Sequence, residues 1–336
     1  MAHTSITKKT TDSRRKEQIS FSSLLQNQFA HWMSDLPEKL WDESLCNLAI
    51  PGSHDSMTYC LDLNSPIKPS DKILNYLDHV IPCIIRPEIY RWCRTQESSI
   101  TEQLEAGIRF FDLRIAHKPN DTSDHLHFVH GIFTTVTVLE ALKEFGLWLK
   151  AHPKEVVILA CRSFDGMNEQ QHHELIQEIK NLFESKIYPK TSSEPVTLRR
   201  LWELGCQVII SYDDNIAKQY PELWPGIPYW WADTYDPKLL VQYLENQKQA
   251  GRPDGFFVAG INLTEDWWYI LTHLHSSLKR LTLPNYAYLS DWIKKQVTGP
   301  GKHCFNIIAG DFIGAGYLVP AVLSLNNIDV KIGRFY

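Results

Sequence analysis

The chain has 336 residues, 43% of them hydrophobic and 12% aromatic, with a formal net charge of −5 at pH 7. This length and apolar content suit one large domain with a sizeable core, and no apolar stretch approaches the roughly 20 residues that would span a bilayer. The seven cysteines are an odd number scattered without pairing or metal spacing, which excludes a disulfide framework and suits a reducing compartment. No nucleic-acid partner is expected.

In chain order, Met1 to Ser20 is polar, with Lys8-Lys9 and Arg14-Arg15-Lys16 but no apolar centre. Residues 1–38 therefore read as a flexible basic tail rather than a signal peptide, and 39–336 as a single catalytic domain. The basic clusters could touch an anionic membrane surface, although a solvated arm is the simpler account. Next, Leu48-Ala49-Ile50 ends a buried strand at about 46–50, which Pro51-Gly52 stops, so His54 and Asp55 fall on the turn at its carboxyl end. A lone histidine in such a place is as readily structural as catalytic. The stretch Asp62 to Ser99 is longer than an ordinary connection and carries apolar aromatics, which makes it a candidate lid or membrane-facing insert.

The run Gly107-Ile-Arg-Phe-Phe-Asp-Leu-Arg-Ile115 predicts a strand over 108–115. Residues two apart share a face, so Asp112 and Arg114 point the same way, and an inward arginine needs an anion. The alternative is an internal Asp112–Arg114 salt bridge, which leaves guanidinium donors without partners. A strand at 127–130 ends at Gly131 and puts His130 at its carboxyl end. Two histidines and an arginine at the ends of different strands are the parts for in-line displacement at a phosphodiester: one imidazole takes a proton, the other gives one, and the arginine holds charge on phosphorus.

Further strands are expected at 156–161, 207–212, 229–233, 256–261 and 305–310, and helices over Val138–Ala151, Glu169–Ser185, Leu198–Leu204 and Pro237–Ala250. This alternation predicts a parallel sheet closed by helices, an α/β class with a distorted TIM-like (β/α)8 barrel in a single domain. Cys161 reads as a buried small hydrophobe. The cluster Trp224, Tyr229, Trp230, Trp231, Tyr235 and the pair Trp267-Trp268 read first as core or rim packing. Asn262-Leu263-Thr264 matches a glycosylation site but carries no weight without a secretory signal.

The windows PGSHDSMT, GIRFFDLRI and HFVHG resemble, in order and spacing, the X domain of phosphatidylinositol-specific phospholipase C, and most closely the short eukaryotic proteins made of that domain alone. The resemblance runs from about residue 40 to the end, through Glu155–Arg162, Leu223–Trp231, Phe257–Thr264 and Asn306–Ile313. It implies His54 as the general base for the inositol 2-hydroxyl, His130 as the general acid for the diacylglycerol oxygen and Arg114 as the phosphate-holding group. Asp55 matches the carboxylate paired with His130, and Asp311 the one that orients His54. Arg162 is a candidate for hydrogen bonding inositol hydroxyls, and Tyr212, Trp231 or Tyr235 for stacking on the ring or gripping a lipid interface.

The calcium-dependent members of that family have Asn after the first histidine and acidic ligands at the positions matching Asp112 and Arg114. Here Asp55 follows His54 and Arg114 is cationic, so the resemblance implies a calcium-independent site with no metal or other cofactor, where Asp55 and Asp112 orient the basic groups. The expected activity is cleavage of phosphatidylinositol-type lipids to diacylglycerol and an inositol (cyclic) phosphate, by a cytoplasmic protein with transient contact at membranes. A metal-dependent glycerophosphodiester phosphodiesterase is disfavoured because Arg114 interrupts its carboxylate cluster. A non-catalytic phosphoinositide-binding or scaffold protein is disfavoured because both histidines and the arginine are present.

Overall fold

Parallel strands covered on both faces read as continuous apolar runs, and the core strands here do so. In the computed structural model, which describes residues 29–123, 125–190, 195–273 and 275–327 with the Trp267 side chain left out, β1 (Ile50–Ser53) is buried throughout. The rim insert follows, with α1 (Lys72–Val80), α2 (Pro82–Cys93) and then α3 (Ile100–Glu105). β2 (Phe110–His117), β3 (Leu126–His130) and β4 (Ile132–Thr137) precede α4 (Val138–Ala151). The next units are β5 (Val157–Asp165), α5 (Glu169–Phe183), α6 (Leu198–Leu204) and β6 (Val208–Tyr212). β7 (Tyr229–Trp230), α7 (Pro237–Ala250), β8 (Val258–Gly260), α8 (Trp267–Thr272), α9 (Leu278–Thr282), α10 (Tyr286–Ile293), β9 (Ile307–Gly310) and α11 (Leu318–Ser324) complete the order.

Seven strands run parallel in the order β6-β5-β2-β1-β9-β8-β7. The result is the expected distorted TIM-like barrel, but among the described residues β6 and β7 do not pair. Trp224 adds to β6 at that seam, its N–H donating to the Ile210 carbonyl and its carbonyl accepting from Tyr212 N–H. The strand expected at 127–130 exists but is not a parallel stave. It pairs antiparallel with β2 and turns at Gly131 (φ +69°) into β4, a strand the sequence reading missed. Only an antiparallel pair can be joined by so short a turn.

Two boundaries move. Pro51 and Gly52 lie inside β1 rather than ending it, because Gly52 lets the strand pass close to β9; a Cβ there would lie 2.9 Å from Ala309 Cβ. The expected tail is shorter than 38 residues. Residues 1–28 lie outside the described part, but Phe29, Trp32, Met33 and Leu36 are buried in the main core. Beneath them, Arg109 is fully buried and uses every donor: Glu155 at 2.7 and 3.1 Å and the carbonyls of Ala30, Leu104 and Ile108.

The insert is helical. Arg86 ties α2 to α1 through Asp78 at 2.6–2.8 Å, and Leu61, Ile67, Ile89 and Ile132 form a small core under it. Its outer surface leaves Ile73, Tyr76, Val80 and Ile84 exposed.

Candidate active site

Three neighbouring strand ends, those of β9, β1 and β2, set the geometry. The His54 N–H donates to the Gly310 carbonyl at 3.1 Å, and Ser56 N–H to the Asp112 carbonyl at 3.0 Å. Between them Asp55 takes a left-handed backbone (φ 41°), a conformation that aspartate tolerates better than most residues. That turn points His54 and Asp55 at the space above β2.

His54 is held at both ring nitrogens. Its Nδ1–H donates to Asp311 Oδ1 at 2.8 Å, and its Nε2 lone pair accepts from an Arg114 Nη at 2.8 Å. Arg114 also lies 2.7 Å from Asp55 and 3.2 Å from Asp112, so the internal ion pair exists alongside an open site. Opposite, His130 donates Nδ1–H to the Cys93 carbonyl at 2.7 Å, which leaves Nε2 facing Asp55 Oδ2 at 3.4 Å. The two imidazoles are 6.4 Å apart, and Asp55 Oδ2 stands between them without an aligned hydrogen bond to either.

Burial opposes charge on His54, but the carboxylates of Asp55 and Asp311 outweigh it and hold its pKa above the ordinary range. Burial also pushes Asp311 up, against the pull of His54. Asp112 is equally enclosed, yet Arg114 and Arg162 hold it low.

These groups open on a cavity of about 440 Å³ that also includes Trp92, Arg162, Tyr229, Trp231 and Glu265 in its wall. A phosphodiester, with its two flanking oxygens, has the size and charge to touch both imidazoles and the guanidinium at once.

A family model described as "Phosphatidylinositol-specific phospholipase C, X domain" matches residues 90–213. Human PI-PLC X domain-containing protein 1 is 50% identical over 92% of this chain and 96% of its own, and the zebrafish (Danio rerio) protein of that name is 48% identical over 90% and 98%. The chain belongs to the PI-PLC X domain family. Mouse PI-PLC X domain-containing protein 3 is 37% identical over 90% of this chain and 94% of its own. In fold, this X domain resembles the phosphatidylinositol-specific phospholipase C of Listeria monocytogenes (TM-score 0.61, 22% identity, 89% and 99% coverage). It also resembles a variant of the Staphylococcus aureus enzyme (TM-score 0.63, 16% identity, 91% and 99% coverage).

Within the X domain, the expected residues His54, Asp55, Arg114, His130 and Asp311 come together as described, and Arg162 and Trp231 reach the same cavity. Arg162 lies between Asp112 at 3.9 Å and Asp213 at 3.5 Å, over the Tyr229 ring. Tyr212 does not join them. It is the last residue of β6 and faces outward, where its ring stacks on Phe164 and its hydroxyl meets His172 Nδ1 at 2.7 Å. Tyr235 also lies outside the cavity wall, its ring tilted against Tyr269 with centroids 4.6 Å apart. Sequence reading missed Trp92, Thr95, Asn262 and Glu265 in the cavity wall. Asn262 is buried and accepts from the Tyr229 hydroxyl, a role no local pattern announces.

His54, Asp55 and Asp112 offer donor atoms within 4.8 Å of one another, close enough for a metal ion. The Arg114 guanidinium, however, already lies against both carboxylates, and a divalent ion there would have to displace it.

Proposed function

We propose that this X domain cleaves phosphatidylinositol-type lipids by attack of the neighbouring inositol hydroxyl on phosphorus, releasing diacylglycerol and a cyclic inositol phosphate without calcium. His54 Nε2 takes the hydroxyl proton while Asp311 steadies the imidazolium that forms. Arg114 turns from the His54 lone pair to the phosphoryl oxygens and stabilises their developing charge. His130, fixed by the Cys93 carbonyl with Nε2 toward the cavity, protonates the departing glycerol oxygen. Arg162 hydrogen-bonds the ring hydroxyls, and Trp231, half-exposed at the mouth, packs on the ring or the interface.

The observation that carries this reading is the pair of imidazoles, each pinned at Nδ1, whose Nε2 atoms flank one arginine and one cavity. A lipid route to that cavity fits the surface around it. α8 contacts α2 where Tyr269 meets Trp92, and the two elements expose Ile84, Trp268 and Leu271 beside Ile73, Tyr76 and Val80 of α1. An exposed apolar surface of this kind marks a binding face. No helix among the described residues is long and apolar enough to cross a membrane.

The test is release of water-soluble inositol products from labelled lipid, in chelator and in calcium. Product in chelator is the expected result. Product only with calcium would give the cluster of His54, Asp55 and Asp112 to a metal, and no product in either would leave a lipid-binding protein.

A further inference from the structure

The segment that closes the rim insert reaches both imidazoles from behind. α2 ends at Cys93, whose carbonyl fixes His130. Just beyond it, Thr95 and Gln96 are 1% and 0% exposed. Gln96 Nε2 donates to the His54 carbonyl at 3.0 Å and the Gly310 carbonyl at 2.9 Å, and its Oε1 accepts from the Ile313 N–H at 3.2 Å. The Thr95 hydroxyl lies 3.2 Å from the His54 carbonyl and 3.1 Å from that of Asp55, and the Thr95 carbonyl accepts from Phe312 N–H at 2.7 Å.

A buried amide is costly unless each of its atoms is bonded. Here both amide protons and the oxygen of Gln96 are spent on two strand ends, β1 and β9. Those ends carry the two members of the His54–Asp311 pair. An apolar side chain would fill the same volume without joining them.

We propose that Gln96 and Thr95 are positioning residues for proton transfer, holding the His54 backbone against Gly310–Phe312 so that Nδ1 stays on Asp311 and Nε2 stays aimed into the cavity. Through Cys93 the same short segment also holds His130, so the rim insert is tied to both histidines. The inference rests on the proposed phosphodiester chemistry for its rate measurement only. Its second measurement, titration of the His54 imidazole by NMR, is independent of turnover.

The variants are Gln96→Met, Thr95→Val and the hydroxyl-retaining Thr95→Ser, each also combined with Asp311→Asn. Gln96→Met and Thr95→Val should lower kcat by about 10- to 100-fold with KM little changed, since small misplacements of a reacting group cost that much. Both should lower the His54 titration midpoint by loosening its contact with Asp311, and Thr95→Ser should restore rate and midpoint. In the Asp311→Asn background neither should slow turnover further, because both act through one contact. Rates that fall only with the folded fraction, an unmoved His54 titration, or losses that add to that of Asp311→Asn would overturn the proposal. If Gln96→Met does not fold, the comparison of Thr95→Val with Thr95→Ser decides. If the wild-type chain releases no product from lipid, the proposed chemistry fails, while the titration still decides the positioning role.

Discussion

Arg109 and Arg114 belong to one nine-residue stretch and have opposite fates. At the closed end of the barrel, the Arg109 donors are all satisfied by Glu155 and three carbonyls, and the Glu155 carboxylate also accepts from Met33 and Ser34. At the open end, Arg114 faces more carboxylate than it can satisfy, and Asp55 Oδ2, Asp112 Oδ1 and Asp311 Oδ2 are buried with no protein hydrogen-bond partner. A saturated ion pair is architecture. An unsaturated one, beside a cavity, is capacity held for another molecule.

That contrast breaks first if the open end proves to be architecture too. His54→Ala and His130→Ala should each cut lipid turnover by about 10²- to 10⁴-fold while the thermal melt stays cooperative and near wild type. Near-normal turnover in either variant would remove the acid–base roles. At the closed end, Glu155→Ala should cost about 3–5 kcal/mol in denaturant unfolding, because it strands a buried guanidinium, yet leave turnover per folded molecule unchanged. Arg114→Lys should lose about 10²- to 10³-fold in kcat, since an ammonium cannot reproduce the planar two-pronged contact with phosphate, and calcium should not rescue it.

Two smaller effects sharpen the comparison through pH. Asp311 helps hold the His54 pKa up, so in Asp311→Asn the base titrates lower and the acid limb of kcat/KM should move to lower pH even as the rate falls. A limb that stays in place would mean that Asp311 does not govern the base. Glu265 sits in the cavity wall, where burial pushes its carboxyl up to about 8. It is uncharged below that pH and ionised above it, so KM for an anionic lipid should rise on the alkaline side. Glu265→Gln should remove that rise.

The strand ends that form the candidate site were legible in the sequence because each follows an apolar run and each is a charged or imidazole residue where a core residue would otherwise stand. His54, His130 and Asp311 have that signature, whereas Arg114, expected at a strand end, stands inside β2, three residues before its last. Tyr212 shares the position but not the direction, because a strand turns alternate side chains to opposite faces, and one residue decides between cavity and helix. β4 was hidden because Gly131 links it to β3 with no intervening loop. Residues 29–36 read as tail because the groups that anchor them, such as Gly107, Arg109 and Glu155, lie 75 to 122 positions away. Thr95 and Gln96 left no trace at all, since their partners are mostly backbone groups, which every residue has.

The seam between β6 and β7 has a consequence for how this family can vary. A ring of strands with no break makes every stave answerable to two neighbours, whereas here residues 213–228 bridge two edges, with Trp224 pairing only with β6. Exposed positions among residues 213–222 can vary there at little cost to any ladder, as surface connections generally do, whereas Leu223–Pro228 packs on the core and on β6. The imidazoles, carboxylates and guanidinium are anchored on or beside β9, β1 and β2, the three central staves and the ones most remote from that break. A change at those exposed positions would therefore leave the candidate site's imidazoles, carboxylates and guanidinium in register on the other side of the barrel.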